Sequence, residues 1–147
     1  MSPFTPLRIL LADDDHDDTF LFQEALLQIP LETNLSIAEN GVELLQMLGD
    51  TNGRPDIIFL DMNMPVKNGL ECLEEIRGMA GYEQVPIVIL STSVAQYLWE
   101  SAYRNGANLY IQKPNSFNGL IQILKKCLLD RTGTTLPERV EQFLITN

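Results

Sequence analysis

Four short motifs hold residue types that could do chemistry together. Five of the six residues Asp13–Asp18 are aspartates. Asp61 opens a second motif, Asp61-Met62-Asn63-Met64-Pro65. The hydroxyl run Ser91-Thr92-Ser93 is the third, and Lys113-Pro114 is the fourth. Each follows a short apolar run, where a strand would end. If Asp13, Asp14 and Asp61 share one cleft they repel one another, so either their pKa values rise or a cation joins them. A hard divalent ion such as Mg²⁺ takes one or two carboxylates plus water. Three carboxylates, Mg²⁺ and the Lys113 ammonium together come close to neutral. Asp61 would then lie beside both cations, where an anionic phosphoryl group could approach it. A carboxylate can act as a nucleophile toward phosphorus. Catalysis of that kind rests on positioning and on neutralising the transferring group.

These residues need elements to hold them. Arg8–Ala12, Asn34–Ala38, Asp56–Leu60, Pro86–Leu90 and Asn108–Gln112 read as five strands, with Pro86 at a first position where a missing N–H does least harm. Between them lie helical segments. Asp15–Gln28 has helical spacing through Phe20, Leu21, Ala25 and Leu27, with Asp15 or Asp17 as N-cap. Gly41–Leu48 is a short helix, and Asn68-Gly69 opens another through Leu70, Leu73 and Ile76. Val94–Asn105 is stopped by Gly106, and Ser116–Leu129 is a long apolar-faced helix. Strands alternating with helices imply a parallel sheet with helices on both faces and right-handed crossovers. Chemistry in such sheets gathers outside the carboxyl ends of the strands. All four motifs stand there.

Composition excludes other classes. The 147 residues suit one domain, able to bury roughly two-thirds of its unfolded surface. A hydrophobic share of 45% argues against a disordered chain. The net charge of −10 counts against nucleic acid and anionic membranes, which attract basic surfaces. Apolar runs such as Ile87–Leu90 are too short to span a bilayer, and no secretory signal is evident. Two cysteines, Cys72 and Cys127, make no disulfide scaffold, and no Cys/His cluster suggests zinc. A reduced, cytoplasmic protein is expected.

Each residue also has a plainer explanation. An aspartate after a strand is often only a helix cap. Lys-Pro often only stops a strand, and Ser-Thr-Ser often makes a turn. His16 reads as a solvated first-turn residue, and the cysteines as small core residues. The joint pattern, each motif at a strand end and in this order, outweighs these readings.

The motifs LLADDD, FLDMNMP followed by NGL, PIVILS and GANLYIQKP resemble those of the receiver domain of two-component response regulators, over about Leu7–Leu129. The resemblance implies a flavodoxin-like α/β fold with sheet order 2-1-3-4-5, a receiver over 1–130 and a C-terminal extension over 131–147. It implies Asp61 as phosphoacceptor. Asp14 would be a direct Mg²⁺ ligand, Asp13 would act mainly through water, and Asn63 would offer its backbone carbonyl. Lys113 would pair with the phosphoryl group, and Lys113-Pro114 resembles the family's cis bond. Counted without gaps against bacterial chemotaxis regulators, 30 positions from Asp61 and 22 before Lys113 select Ser91 as switch hydroxyl. Thr92 stays the runner-up, since the family more often has threonine there. The same count makes Tyr110 the switch aromatic, expected to move from an outward to an inward position on phosphorylation.

The length, the lack of an output domain and Val85–Ser93 (VPIVILSTS) most resemble single-domain regulators that partner cyanobacterial phytochromes. The implied function is acceptance of a phosphoryl group from a sensor histidine kinase or phosphotransfer protein, then signalling by protein contact through helix 4, strand 5 and helix 5. No turnover enzyme is implied, only self-phosphorylation and autodephosphorylation. The kinase would dock near helix 1, where Asp17, Thr19 and Phe20 flank the acidic loop. The alternatives are an Asp-nucleophile, Mg²⁺-dependent phosphatase and a phosphorylation-independent binding module. The phosphatase needs a second acid where Asn63 stands. A flavodoxin-like cofactor binder would have its phosphate repelled by Asp13-Asp14-Asp15.

The tail after Leu129 needs a reason. After a Thr132–Thr135 link, Pro137 suits the first turn of a helix, with Glu138 and Glu141 at its positive end. Val140, Phe143 and Leu144 make one apolar stripe. So short a helix must pack on something. It either folds back on its own domain or meets a second copy in a homodimer.

Overall fold

The apolar runs pair into one parallel sheet. The computed structural model describes residues 5–50, 53–134, 136–137 and 139–147. The strands are β1 (Leu7–Ala12), β2 (Thr33–Ala38), β3 (Ile57–Asp61), β4 (Ile87–Ser91), β5 (Leu109–Gln112) and β6 (Leu144–Ile145). The helices are α1 (His16–Leu26), α2 (Gly41–Leu48), α3 (Gly69–Arg77), α4 (Gln96–Arg104), α5 (Phe117–Leu128) and α6 (Val140–Phe143). Sheet order is β2-β1-β3-β4-β5-β6, the expected order with one strand added. Every residue of β3 and β4 is buried, which is why both read as near-continuous apolar runs. The edge strand β2 alternates instead.

Each face of the sheet carries its own core. On one, Phe22 and Leu26 of α1 and Leu124 and Leu128 of α5 pack with Ile9, Leu11, Phe59 and Val88. Phe22 meets Phe59 edge-on, with ring centroids 5.1 Å apart. On the other, Leu44, Leu48, Leu73, Ile76 and Ala102 from α2, α3 and α4 pack with Leu10, Ile58, Leu60 and Ile89. Cys72 and Cys127 are buried, and burial pushes their thiols up to about 11 and about 12. The half-buried Arg77 guanidinium ties α3 to the turns flanking β4 and β5. It donates to the carbonyls of Tyr82, Val85 and Gly106 and to Asn108 Oδ1, all at 2.8–2.9 Å.

Helix ends follow their caps. Asp15, not Asp17, starts α1, accepting from the N–H groups of Asp17 and Asp18. Asn68 and Glu71 form a capping box on α3, and Ser116 caps α5. Gly106 ends the α4 segment at φ 90°, a conformation that favours glycine.

Two expectations need correction. The buried face of α1 is Thr19, Phe22, Ala25 and Leu26. Of the residues read as its apolar face only Ala25 is inside; Phe20, Leu21 and Leu27 are exposed. The helix carries apolar residues on two sides, so spacing alone could not choose the face.

The second correction is the tail. Its helix does not start near Pro137 but spans only Val140–Phe143, and Leu144 already belongs to β6. Thr135 and Glu138 lie outside the described residues. β6 pairs in parallel with β5, Leu144 opposite Tyr110 and Ile145 opposite Ile111. The physical reason is the edge of β5, whose backbone groups need partners more than so short a helix can gain by another turn. Phe143 is fully buried, its ring centroid 5.0 Å from that of Tyr103 and 6.4 Å from that of Tyr110. Asn147 closes the segment. Its backbone N–H donates to Gln112 Oε1 at 2.9 Å and its side-chain amide to the Lys113 carbonyl at 3.1 Å. The tail thus packs on its own chain. Phe143→Ala should therefore destabilise the protein by about 3 kcal/mol in urea unfolding. A loss below about 0.5 kcal/mol would mean that the tail is not part of the cooperative unit.

Candidate functional site

Strand register gathers the motifs. Ala12 lies opposite Leu60, Asp61 opposite Leu90 and Ser91 opposite Gln112. The residues at or just past these strand ends therefore stand side by side. The N–H of Asp13 extends the β1–β2 ladder to the Ala38 carbonyl at 3.0 Å. The N–H of Lys113 extends the β4–β5 ladder to the Ser91 carbonyl at 2.8 Å. Gly69 lets α3 start against the end of β3. A Cβ there would lie 2.4 Å from the Asp61 carbonyl oxygen. In the loop between them, Lys67 N–H bonds the Pro65 carbonyl at 2.7 Å around Val66, whose φ is 69°. A β-branched residue in that region is strained, and the strain lies beside the site.

Asp13, Asp14 and Asp61 each place a carboxylate oxygen within 4.8 Å of the others. Asp13 and Asp61 are buried and Asp14 is exposed. Lys113 Nζ lies 3.3 Å from Asp13 Oδ2 and 3.6 Å from Asp61 Oδ1. Its shortest contact, at 2.7 Å, is to Asp18 Oδ2. The Asn63 N–H points at Asp61 Oδ1 over a long 3.4 Å. Ser91 is fully buried, its Oγ accepting from the Ser93 N–H at 3.2 Å, whereas Thr92 is exposed. His16 is exposed and pairs with Glu39 at 3.1 Å.

Charge in this cluster is unbalanced. Burial pushes Asp61 up to about 6; Lys113 and the Asn63 N–H oppose the rise, and Asp13 and Asp14 add to it. Burial also raises Asp13, against the Asp15 N–H and Lys113. Burial works against the charged form of Lys113, but the Asp18 hydrogen bond and the attraction of Asp61 and Asp13 outweigh it and hold the lysine above its ordinary value. Asp18 makes a third carboxylate at the ammonium, beside Asp13 and Asp61, with Asp14 next to them, so the site is more negative than the motifs alone implied. The converging donors are hard oxygens, and the surplus charge is what a divalent cation would offset, so the residues fit such an ion.

Two expectations fail here. The Lys113–Pro114 bond is trans, and among the described residues no peptide bond is cis. Trans is the intrinsic preference even before proline. Nor does Tyr110 rest outward. It is fully buried, and its hydroxyl donates to the Ser93 carbonyl at 2.7 Å. The tail explains this, because Phe143 packs beside the ring and Leu144 pairs with the Tyr110 backbone. The motif reading also missed Asp18 as a partner of Lys113. Its only signal was its place three residues past the cap Asp15, in the first turn of α1.

Comparisons with known proteins agree with this geometry. The family model of the response regulator receiver domain matches residues 9–125. Response regulator Rcp1 of Synechocystis is 31% identical over 125 residues, covering 82% of this chain and 85% of its own. Chemotaxis protein CheY1 of Helicobacter pylori is 30% identical over 128 residues, covering 87% of this chain and 98% of its own. Among solved structures, the phosphorylated cyanobacterial phytochrome response regulator RcpA aligns with a TM-score of 0.79 at 32% identity, over 91% of this chain and all of that one. The Mn²⁺-bound form of Rcp1 aligns with a TM-score of 0.77 at 29% identity, over 90% of this chain and 99% of that one.

The raised Asp61 value has a sign. Its folded pKa, about 6, lies above the ordinary 3.8, so the folded chain binds the proton more tightly than the unfolded one. The stability this contributes is full below pH 3.8 and is lost as pH rises through about 6. A cation needs the deprotonated form. Calorimetric titration with Mg²⁺ should therefore show binding at pH 7 that weakens about tenfold by pH 5, one unit below that pKa. Equal affinity at both pH values would contradict the charge reading.

Proposed function

Because this chain belongs to the response regulator receiver domain family, we propose that Asp61 is its phosphoacceptor and that a histidine kinase or phosphotransfer protein is the donor. An Asp61 carboxylate oxygen attacks the phosphorus of a phosphohistidine. The new O–P bond forms as the N–P bond breaks, and the imidazole leaves with the electron pair. The observation that carries this reading is the joint position of Asp13, Asp14, Asp61 and Lys113 at adjacent strand ends. Asp14, Asp61 and the Asn63 carbonyl would hold Mg²⁺, with Asp13 acting mainly through water. Bound there, the ion supplies neutralisation of the transferring group. Lys113 supplies a further positive charge to the phosphoryl oxygens. The product is an acyl phosphate that signals by contact, not a released metabolite, so the protein is a switch that phosphorylates and dephosphorylates itself and not a turnover enzyme.

Ser91 is the hydroxyl that turns toward the phosphoryl oxygens. Its burial at the end of β4, against the exposure of Thr92, supports that choice. Its Oγ accepts from the Ser93 N–H, and the Ser93 carbonyl accepts from the Tyr110 hydroxyl, so the two side chains meet through Ser93. Tyr110 is the second moving part, and its ring lies under the tail. A shift at Ser91 then reaches the α4, β5 and α5 face through Tyr110 and Phe143. With the apolar stripe of the tail spent on its own chain, a homodimer would have to use the rest of that face.

The donor docks on α1. Phe20 is 57% exposed and Leu21 43%, so the helix offers an apolar patch next to the acidic loop. Thr19 is buried and takes no part in this patch. The likeness to Rcp1 and RcpA supports a phytochrome-linked kinase as donor. Among the described residues no helix is long and apolar enough to cross a membrane.

Two tests follow. Asp61→Asn should abolish labelling by acetyl phosphate with Mg²⁺, whereas Ser91→Ala should keep the label and lose the amide shifts around Tyr110. Thr92→Ala should change neither; undiminished labelling of Asp61→Asn would move the phosphoacceptor elsewhere. Phe20→Ala should slow phosphotransfer from the kinase about tenfold, as losing one aromatic contact does, and leave acetyl phosphate labelling intact. Equal slowing of both donors would place Phe20 outside the docking surface.

A further inference from the structure

Asp18 stands apart from the three clustered carboxylates, on the first turn of α1. Yet it makes the shortest contact to the site lysine. Lys113 Nζ is 2.7 Å from Asp18 Oδ2, against 3.3 Å for Asp13 Oδ2 and 3.6 Å for Asp61 Oδ1. The ammonium therefore rests nearest to a carboxylate that carries no reacting atom. We infer that Asp18 is a positioning residue for phosphoryl transfer, which draws Lys113 off Asp61 in the resting chain and competes with the phosphoryl group for it afterwards. The inference rests on Asp61 being the phosphoacceptor.

Local structure holds Asp18 in this place. The Asp15 side chain accepts the Asp17 and Asp18 N–H groups, which fixes the first turn. Thr19 Oγ1 donates to the His16 carbonyl at 3.1 Å and tightens it. The Asp18 side chain is 38% exposed, against 7% for the Asp61 side chain. In the resting chain the buried Asp61 thus shares Lys113, the one cation paired with it among the described residues, with Asp13 and Asp18.

A phosphoryl group on Asp61 adds about two negative charges and strong acceptor oxygens. Lys113 must turn toward it, and the Asp18 contact lengthens or breaks. Whatever that contact contributes is subtracted from the phosphorylated form. A pair this exposed is worth up to about fivefold in an equilibrium constant. Asp17 provides a built-in control. It is the same residue type one position away, is exposed, and is not among the described ion-pair partners of Lys113, which are Asp13, Asp18 and Asp61.

The test is calorimetric titration with beryllofluoride, a phosphoryl mimic, at saturating Mg²⁺. Asp18→Asn should bind it about threefold tighter than the parent chain. Asp18→Ala should show the same gain, Asp18→Glu should return to the parent affinity, and Asp17→Asn should change little. Thermal unfolding of each variant checks that it is folded. Unchanged or weaker binding by both neutral Asp18 variants would overturn the proposal. So would an equal gain from Asp17→Asn, because bulk charge would then explain the effect. If the parent chain fails to bind, or Asp61→Asn binds as well as the parent, the phosphoacceptor reading itself fails and takes this inference with it. That failure is seen without any Asp18 variant.

Discussion

Carboxylates at the ends of buried strands cannot shed their charge to water, and the rest of this structure answers to that constraint. Asp13 and Asp61 are set side by side by the pairing of β1 with β3, so their separation is fixed by the sheet and not by their own attraction or repulsion. Two buried cores, one on each face, hold the register rigid. The cost of desolvating Asp61 appears as its raised pKa. Lys113 offsets part of it, and a divalent cation would offset most of the remainder. A site left in that condition is poised to accept positive charge first and a phosphoryl group second.

The same strand ends connect the site to the surface. Ser91 Oγ accepts from the Ser93 N–H, and the Ser93 carbonyl accepts from the Tyr110 hydroxyl. Tyr110 lies beside Phe143, and Asn147 bonds the Lys113 carbonyl. The tail therefore touches both ends of the chain of contacts, the aromatic ring and the lysine loop. Closing the β5 edge with β6 removes backbone groups that would otherwise invite pairing by another chain. It also means that motion of Tyr110 does work against the packing of Phe143.

Much of this was legible in the sequence because strand ends are marked locally. Asp13, Asp14, Asp61, Ser91 and Lys113 each follow an apolar run, and a parallel sheet brings such positions together whatever lies between. Other features depend on partners that spacing does not reveal. The face that α1 buries turns on Phe59 and the α5 leucines, not on its own periodicity, because Phe20 and Leu21 compete with Phe22 and Leu26. β6 forms because β5 offers an edge, a fact absent from the tail's own residues. The contact between Asp18 and Lys113 spans 95 positions. The inward Tyr110 follows from the tail and could not be read without it.

The most direct measurement is to map the phosphorylated side chain chemically. The protein is treated with acetyl phosphate and Mg²⁺, reduced with borohydride, digested, and its peptides are weighed. An acyl phosphate is reduced to an alcohol, so the aspartate that carried it becomes homoserine. The modification should fall on Asp61 alone and should be missing when Mg²⁺ is chelated. Modification at Asp13, Asp14 or Asp18 instead, or none at all, would contradict the assignment of Asp61 as the residue around which these strand ends are built.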